Sequence, residues 1–280
     1  DTTGNVDSTS LMMFSNPAYI NAPLPNGLKH GINYTSVTNA TLALYAPYKD
    51  YVYLLGDFND WKVQTNYMLN RHFVNSDSVI WWIDLTVSPG TEYAFQYLVD
   101  GTIRTGDPYS EKILDPGNDQ YIPSTNYPNL KPYPAGKTSQ VVSVLQTAQS
   151  EYQWQVTDFQ RPPKERLFIY ELHVRDFSTQ RNYQFLIDTL SYLKSLGVNA
   201  IELMPVNEFE GNSSWGYNPS FSTALDKYYG TPNKLKEFID LCHQNGIAVI
   251  MDMVLNHTYG QSPLVKMYWD SANSRPAANS

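Results

Sequence analysis

The stretch IAVIMDMVLNH, residues 247–257, begins with a run of apolar residues and ends with the polar residues Asn256 and His257. A short continuous apolar run is typical of a strand that is buried on both faces of a parallel sheet. Asp252 is predicted to lie inside this strand, and Asn256 and His257 where it emerges. Because polar side chains are costly to bury unless they are paired, their presence predicts a functional edge of the sheet.

Two more strand patterns and two helix patterns precede this run. Residues 167–174 and 198–206 are strand-like, whereas residues 183–197 and 231–246 carry apolar side chains at helical spacing. Strands that alternate with helices through short connections predict parallel βαβ units.

Doubly wound sheets and (β/α)₈ TIM barrels both begin with this alternation. A doubly wound dinucleotide-binding sheet needs a glycine-rich turn after its first strand, but residues 175–182, RDFSTQRN, contain no glycine. A barrel is therefore the better prediction for residues 166–280. A complete barrel takes roughly 250 residues, so the predicted barrel is incomplete and represents its N-terminal portion.

The N-terminal half has a different period. Short alternating segments between residues 41 and 100 are separated by Gly, Pro and Asp turns, which predicts an all-β, immunoglobulin-like sandwich. We place this sandwich at residues 27–121, after a leader segment at residues 1–26. Residues 122–165 are predicted as a linker with room for one more strand at residues 140–145, so the chain is predicted to be multidomain.

Composition limits the partners that the chain can have. The formal net charge is −8 and there is no basic cluster, which disfavours nucleic acid and anionic membrane surfaces. No apolar run is long enough for membrane insertion. The aromatic share of 14% fits either a β-rich fold or sugar binding.

The start of the chain bears on its location. The first residue is Asp1 and not Met, which, together with the negative net charge, favours an extracytoplasmic (periplasmic or secreted) location. A shortened chain would look the same.

The predicted strand ends carry the candidate functional residues. In TIM barrels such residues lie at the carboxyl ends of the strands, here in residues 173–177, 204–209 and 252–257. A purely structural role, in which Asn256 and His257 cap the next segment, has about equal support from spacing alone. The long loop before residue 232 holds several aromatics that could stack on a sugar or pack on one another. Tyr217 is the favoured stacking residue, and Tyr228 and Tyr229 are the favoured packing residues.

These motifs together resemble the α-amylase family of glycoside hydrolases. The form Asp-x-Val-x-Asn-His is complete in residues 252–257, and YELHVRDF, IELMPV, WGYNP and YGTP precede it in the family's order. The stretches YLLGDFNDW and FQYLVDG resemble the glycogen-binding sandwich (carbohydrate-binding module 48 type) of debranching and branching enzymes. There, Trp61 would be the glycan-binding residue, but Ile103 stands where a second aromatic is expected, which favours a packing role with Trp61 at least half buried.

The resemblance implies a role for each candidate residue. His257 would hydrogen-bond the sugar in the cleavage subsite, Tyr217 would stack on the same ring, and Trp215 would also contact substrate. Asn256 would bind substrate, order the loop or bind a structural calcium. Asp252 and Arg175 would support the site. No cofactor is required.

The family cleaves or transfers α-glucosidic bonds of starch- and glycogen-like polysaccharides with retention, which needs two carboxylates roughly 5–5.5 Å apart. The family places them after strands four and five, so none is assigned in this chain; Asp176, Glu208 and Glu210 do not match. The resemblance implies an α-glucan-active hydrolase of amylase or debranching type. The 280 residues alone are expected to be inactive, with the remaining barrel strands in the same or another chain. The alternatives are a non-catalytic glycan-binding or partner-binding protein and a barrel enzyme of unrelated chemistry.

Overall fold

The structure is a computed structural model that describes residues 18–177 and 179–278. In chain order, the strands of this part of the chain are β1 (Gly31–Tyr34), β2 (Asn39–Tyr45), β3 (Val52–Gly56), β4 (Asn70–Asn75), β5 (Ser78–Thr86), β6 (Tyr93–Val99), β7 (Ile103–Thr105), β8 (Ile113–Leu114), β9 (Val142–Leu145), β10 (Ile169–Leu172), β11 (Ala200–Leu203), β12 (Asn207–Phe209), β13 (Pro219–Leu225), β14 (Ala248–Met251), β15 (Trp269–Asp270) and β16 (Arg275–Pro276). The helices are α1 (Val174–Phe177), α2 (Tyr183–Asp188), α3 (Leu190–Ser195), α4 (Pro232–Gln244) and α5 (Pro263–Tyr268).

The N-terminal half forms two antiparallel sheets. Sheet A has the strand order β1-β2-β5-β4, and sheet B has the order β3-β6-β9-β8, with β7 paired to β6. Alternate residues of β5 are buried, as expected for a strand with one face toward the core. Leu42 and Trp81 of sheet A share one apolar cluster with Leu54 and Phe95 of sheet B. The two sheets therefore enclose a common core.

Strand β9 lies inside the segment 122–165 that was predicted as a linker with one extra strand. It pairs with β6 on one side and with β8 on the other, and all four of its residues are buried. Sheet B thus needs this segment, because its residues contribute to a second apolar cluster on the far face of the sheet. The antiparallel unit extends at least to Leu145.

Residues 1–17 of the predicted leader lie outside the described residues. The rest of the leader runs beside β4: the Arg71 N–H donates to the carbonyl of Ile20 at 2.8 Å, and the Ala22 N–H donates to the carbonyl of Arg71 at 3.0 Å. This part of the leader is held by sheet A through backbone hydrogen bonds.

The C-terminal half contains the predicted alternation of strands and helices. Strands β10, β11 and β14 form a parallel sheet in that order, and α2, α3 and α4 share an apolar cluster with it. The predicted helix at 183–197 is divided at Thr189, whose hydroxyl donates to the carbonyl of Phe185 at 2.7 Å. The side chain of Thr231 caps α4 by accepting from the Lys234 N–H. Within the described part of the chain, none of the helices has the length and apolarity to cross a membrane.

The connection between β11 and α4 differs from the predicted loop, because it contains the antiparallel hairpin β12–β13. Phe221 and Ala224 of β13 form an apolar cluster with Ile113 and Val141 of the antiparallel unit. The Thr223 hydroxyl donates to the carbonyl of Ser110 at 2.8 Å. The hairpin therefore packs the two halves of the chain together.

A buried charge cluster lies at the same junction. The Lys227 ammonium pairs with Glu208 and lies 3.2 Å from Asp119, and Asp226 is the adjacent residue. Lys227, Glu208 and Asp226 are each at most 5% exposed. Burial raises the pKa of Glu208 from 4.5 to about 8 and that of Asp226 from 3.8 to about 7, against the opposing effect of Lys227. One ammonium thus faces three carboxylates, and the cluster holds protons near neutral pH.

We expect the free energy of unfolding to fall as the pH rises from about 5 to about 8. Carboxyls with raised pKa values bind more protons in the folded than in the unfolded state across this window. The stability that these protonated carboxyls contribute is therefore complete below the pKa that they have in the unfolded chain. It is lost as the pH rises through their pKa in the folded protein. Each proton gives a slope of up to about 1.4 kcal/mol per pH unit. Denaturant unfolding at several pH values measures the slope, and Glu208→Gln should flatten it; an unchanged slope would show that Glu208 does not titrate there.

Candidate functional site

The site lies at the carboxyl ends of β10, β11 and β14. Because these strands are parallel and in register, the segments that follow them leave the sheet at one edge. Strand β10 leads into α1, which carries Arg175; β11 leads into the hairpin connection, which carries Tyr217; and β14 leads to Asp252 and His257.

Four of the predicted residues are in direct contact. The Tyr217 hydroxyl donates to Oδ2 of Asp252 at 2.7 Å. Nε2 of His257 lies 2.9 Å from the backbone carbonyl of Tyr217, and its Nδ1 lies 3.2 Å from Oδ1 of Asn256. The hydrogen bond to Asp252 raises the pKa of Tyr217 to about 12, together with burial and the nearby negative charges of Asp252, Glu171 and Glu202. Tyr217 therefore remains protonated, as donor to Asp252, at any physiological pH.

The placement of Asp252 inside the strand was wrong. Strand β14 ends at Met251, and the backbone N–H of Asp252 makes a last hydrogen bond to the carbonyl of Leu203 at 3.0 Å before the chain departs. Its side chain is half-buried and can reach Tyr217, because it stands at the rim of the sheet and not below the site.

Arg175 is held at the end of β10 by two neighbours. Its Nε and Nη2 donate to the two carboxylate oxygens of Asp176 at 2.8 and 3.2 Å, and its Nη1 donates to Ser213 at 3.1 Å. Hydrogen bonds from Arg175 and then from His173 hold the pKa of Asp176 well below its usual range. Asp176 is therefore a permanent anion, and Arg175 links the first strand end to the hairpin connection.

Tyr217 and Trp215 both present aromatic surface to solvent. Trp215 is 59% exposed and Tyr217 is 40% exposed, while Gly216 between them approaches the backbone of Pro205. Tyr229, which was predicted to pack, is 1% exposed and belongs to the core. The rings at positions 215 and 217 are therefore the accessible ones. Stacking on a sugar stays a prediction for both.

Trp61 lies in the antiparallel unit, where it is 5% exposed. Its indole N–H donates to Asp57 at 3.1 Å, and its ring packs in the cluster on the outer face of sheet B with Leu55 and Val142. Ile103 packs against the core between the sheets. In this arrangement the indole of Trp61 offers no open face to a sugar ring.

The described residues show no cluster of acidic side chains at Asn256, and calcium binding there stays a prediction. Calcium takes six to eight oxygen ligands, with carboxylates prominent among them. Among the described residues, no group of three or more His, Cys, Asp or Glu side chains is arranged to hold a metal ion. Asn256 contacts its neighbour His257.

Several residues that shape the site carry no signal in the sequence. Oε1 of Glu210 accepts the backbone N–H of Gln261 at 2.6 Å, and the Thr258 hydroxyl donates to the carbonyl of Pro219 at 3.0 Å. These bonds fasten the segment after β14 to the hairpin connection. They join residues 39 and 51 positions apart, which no local pattern could have indicated.

Comparison with known proteins agrees with this geometry. Residues 176–278 match the family described as "Alpha amylase, catalytic domain". The chain is 34% identical over 155 residues to the malto-oligosyltrehalose trehalohydrolase of Saccharolobus solfataricus, covering 55% of this chain and 26% of that protein. It is 30% identical over 240 residues to the 1,4-alpha-glucan branching enzyme GlgB of Pseudoalteromonas atlantica, covering 80% and 29%.

A solved structure also resembles the fold of this chain. The crystal structure of a protein from Salmonella typhimurium described as an alpha amylase superposes with a TM-score of 0.65 at 26% identity, covering 86% of this chain and 36% of that one. The chain thus spans between a quarter and about a third of the length of these relatives. The matched segment holds Asp176 and the whole cluster of Tyr217, Asp252 and His257. By its sequence and its fold, the segment 176–278 belongs to the alpha-amylase family.

Proposed function

We propose that this protein binds α-glucans of the starch and glycogen type at the carboxyl edge of its parallel sheet. The cluster of Tyr217, Asp252 and His257 is the observation that carries the proposal. The exposed phenol ring of Tyr217 is fixed through its hydroxyl, which bonds Asp252. The imidazole of His257 is fixed by its contact with the backbone carbonyl of Tyr217. A pre-ordered aromatic face beside a polar edge suits a sugar ring, which has apolar C–H faces and a hydroxyl rim.

The same proposal interprets the architecture. We take the two antiparallel sheets as an immunoglobulin-like sandwich of the carbohydrate-binding-module-48 type, acting in packing more than in glycan binding. The parallel sheet β10-β11-β14 corresponds to the first three strands of a (β/α)₈ barrel. The family match and the branching-enzyme similarity, which extends over 80% of the chain, support this interpretation.

None of the four carboxylates considered near the strand ends suits the acid/base role. Asp176 is paired with Arg175 and Glu208 with Lys227, Glu210 accepts from Gln261, and Asp252 accepts from Tyr217. Glu208 has a raised pKa, as a general acid requires, but it is 5% exposed and lies at the junction of the two halves. We therefore assign substrate binding to this chain and the nucleophile and acid/base to barrel strands beyond the third. Hydrolysis or transfer with retention belongs to the complete barrel.

Glucan binding tests the proposal. We expect the protein to bind maltotriose in isothermal titration calorimetry, and we expect Tyr217→Ala or His257→Ala to weaken that affinity about tenfold, the equivalent of about 1.4 kcal/mol. Tyr217→Phe keeps the ring and removes the bond to Asp252, so its loss should be smaller than that of Tyr217→Ala. Tyr192→Ala, which removes a 54% exposed ring on α3, is the control.

Absence of maltotriose binding in the unaltered protein would contradict the proposal, as would equal affinities for the Tyr217→Ala and Tyr192→Ala variants. A starch-hydrolysis assay on the same sample, after its mass has been verified as 31.9 kDa, tests whether this chain holds a catalytic carboxylate. Binding without turnover fits the assignment above and also fits a non-catalytic glycan-binding protein. Turnover would place a catalytic carboxylate among residues to which we assign none.

A further inference from the structure

A groove of about 780 Å³ lies between the antiparallel unit and the segment that follows β14. Its lining is mostly apolar and comes from both halves of the chain. The residues that carry the argument are Tyr45, Tyr48, Asp77, His257, Tyr268 and Trp269.

The aromatic rings of the groove are fixed, yet accessible. The hydroxyl of Tyr45 donates to the backbone carbonyl of Asp77, and the hydroxyl of Tyr48 donates to the carboxylate of the same residue. The Tyr268 hydroxyl donates to the carbonyl of Pro47 at 3.0 Å. Tyr45 is nevertheless 37% exposed, and Tyr48 and Trp269 are 45% and 46% exposed. Rings that are held in place before a ligand arrives lose little conformational entropy when it binds.

The backbone of Tyr48 adds an independent observation. Its φ is +59°, in the left-handed region that favours glycine and asparagine and that a bulky side chain adopts only at a cost in energy. The turn geometry would therefore be satisfied better by glycine. A tyrosine at this position supplies an exposed ring that glycine would not supply.

The groove is continuous with the site at the strand ends. His257 lines the groove and also contacts the backbone of Tyr217 at 2.9 Å. A ligand that lies against Tyr217 and His257 can therefore continue past His257 toward Trp269 and Tyr48 without leaving the protein surface.

We infer that this groove is an extended subsite for an α-glucan chain, in which Tyr48, Trp269 and their neighbours bind glucose units beyond those held by Tyr217 and His257. The inference rests on the proposed function. A neutral, hydroxyl-rich chain with apolar ring faces matches aromatic walls with a carboxylate at the rim, and a net charge of −8 disfavours an anionic ligand. The antiparallel unit then contributes to binding through its Tyr45–Asp77 edge and not through Trp61.

Dependence on chain length is the test. We expect Tyr48→Gly and Trp269→Ala each to weaken maltoheptaose binding about tenfold, measured by calorimetry, while changing maltotriose affinity by less than about twofold. Glycine relieves the backbone strain at position 48, so a lower thermal unfolding midpoint is not expected in that variant. Trp154→Ala, which removes a 41% exposed indole outside the groove, is the matched control for Trp269→Ala and should bind both oligosaccharides as the unaltered protein does.

The outcomes separate this inference from the function on which it rests. Equal maltoheptaose affinity in the unaltered protein, Tyr48→Gly and Trp269→Ala overturns the groove while leaving the Tyr217–His257 site intact. An equal loss for maltotriose and maltoheptaose also overturns it, because the groove would then not act on the added units. Failure of the unaltered protein to bind either oligosaccharide overturns both proposals.

Discussion

Replacement of Lys227 by Met should lower the free energy of unfolding by about 3–5 kcal/mol, because it leaves buried carboxylates without their counter-charge. Lys227 is 3% exposed and pairs with Glu208 and Asp119. Burial alone would lower the pKa of the Lys227 ammonium, but the negative charges of Glu208, Asp119 and Asp226 raise it above its ordinary value. The ammonium is therefore a fixed cation in the folded state. Denaturant unfolding at pH 9, above the raised pKa values of Glu208 and Asp226, measures the change.

The deficit should depend on pH. At pH 5 the carboxyls with raised pKa values are protonated in the folded state, so the loss of the cation costs less than at pH 8. The double variant Lys227→Met/Glu208→Gln should recover part of the stability, since it removes one of the stranded charges. It also keeps the prediction testable if the single variant does not fold.

Lys234→Met is the matched control for this experiment. The ammonium of Lys234 lies 2.7 Å from Oε2 of Glu237, but both of these side chains are about one-third exposed or more. Exposed pairs contribute about 0–1 kcal/mol. Equal effects for the two lysine variants would mean that the buried cluster has no special role in holding the two halves of the chain together.

The sequence predicted the strands and helices better than their packing. The apolar run in residues 247–257 correctly predicted a parallel strand, but the four residues of β14 are half-buried and not buried on both faces, because β14 lies at the edge of the three-stranded sheet. The hairpin β12–β13 was missed, since its strands are stabilised by contact with Ile113 and Val141 of the other half. Likewise, the importance of β9 depends on its pairing with both β6 and β8, which a four-residue pattern does not show.

The candidate site was predictable to the extent that it followed from strand ends. Tyr217, Asp252 and His257 were named because polar and aromatic residues gather where parallel strands finish, and the structure brings them into contact. That the Tyr217 hydroxyl bonds Asp252 depends on where β14 stops, at Met251 and not beyond Asp252 as expected. The charge cluster around Lys227 was not predicted, because Glu208 and Asp119 reach Lys227 only through tertiary folding.

Replacement of Gly216 by Ala should both destabilise the protein and disable the site. Gly216 has a φ of +87°, and a Cβ at this position would lie 2.5 Å from the carbonyl oxygen and 2.7 Å from Cβ of Pro205. Backbone atoms cannot rotate aside, so the loop itself must move. Since Gly216 lies between Trp215 and Tyr217, that movement displaces the ring that bonds Asp252. We expect maltotriose binding to weaken more than in Tyr217→Phe, which changes only the hydroxyl.

Gly211→Ala is the control that distinguishes the steric clash at position 216 from the strain of a left-handed backbone. Gly211 has almost the same φ, +88°, but no atom lies within 4 Å of the Cβ that an alanine would add. Gly211→Ala should therefore cost only about 1–2 kcal/mol for the left-handed conformation, with maltotriose affinity unchanged. Gly216→Ala carries the same strain and should lose roughly a further 1–3 kcal/mol through overpacking. Unfolding and calorimetry on both variants decide the matter: if they behave alike, the contact between Gly216 and Pro205 does not position Tyr217, and the ring must be held by its bond to Asp252 alone.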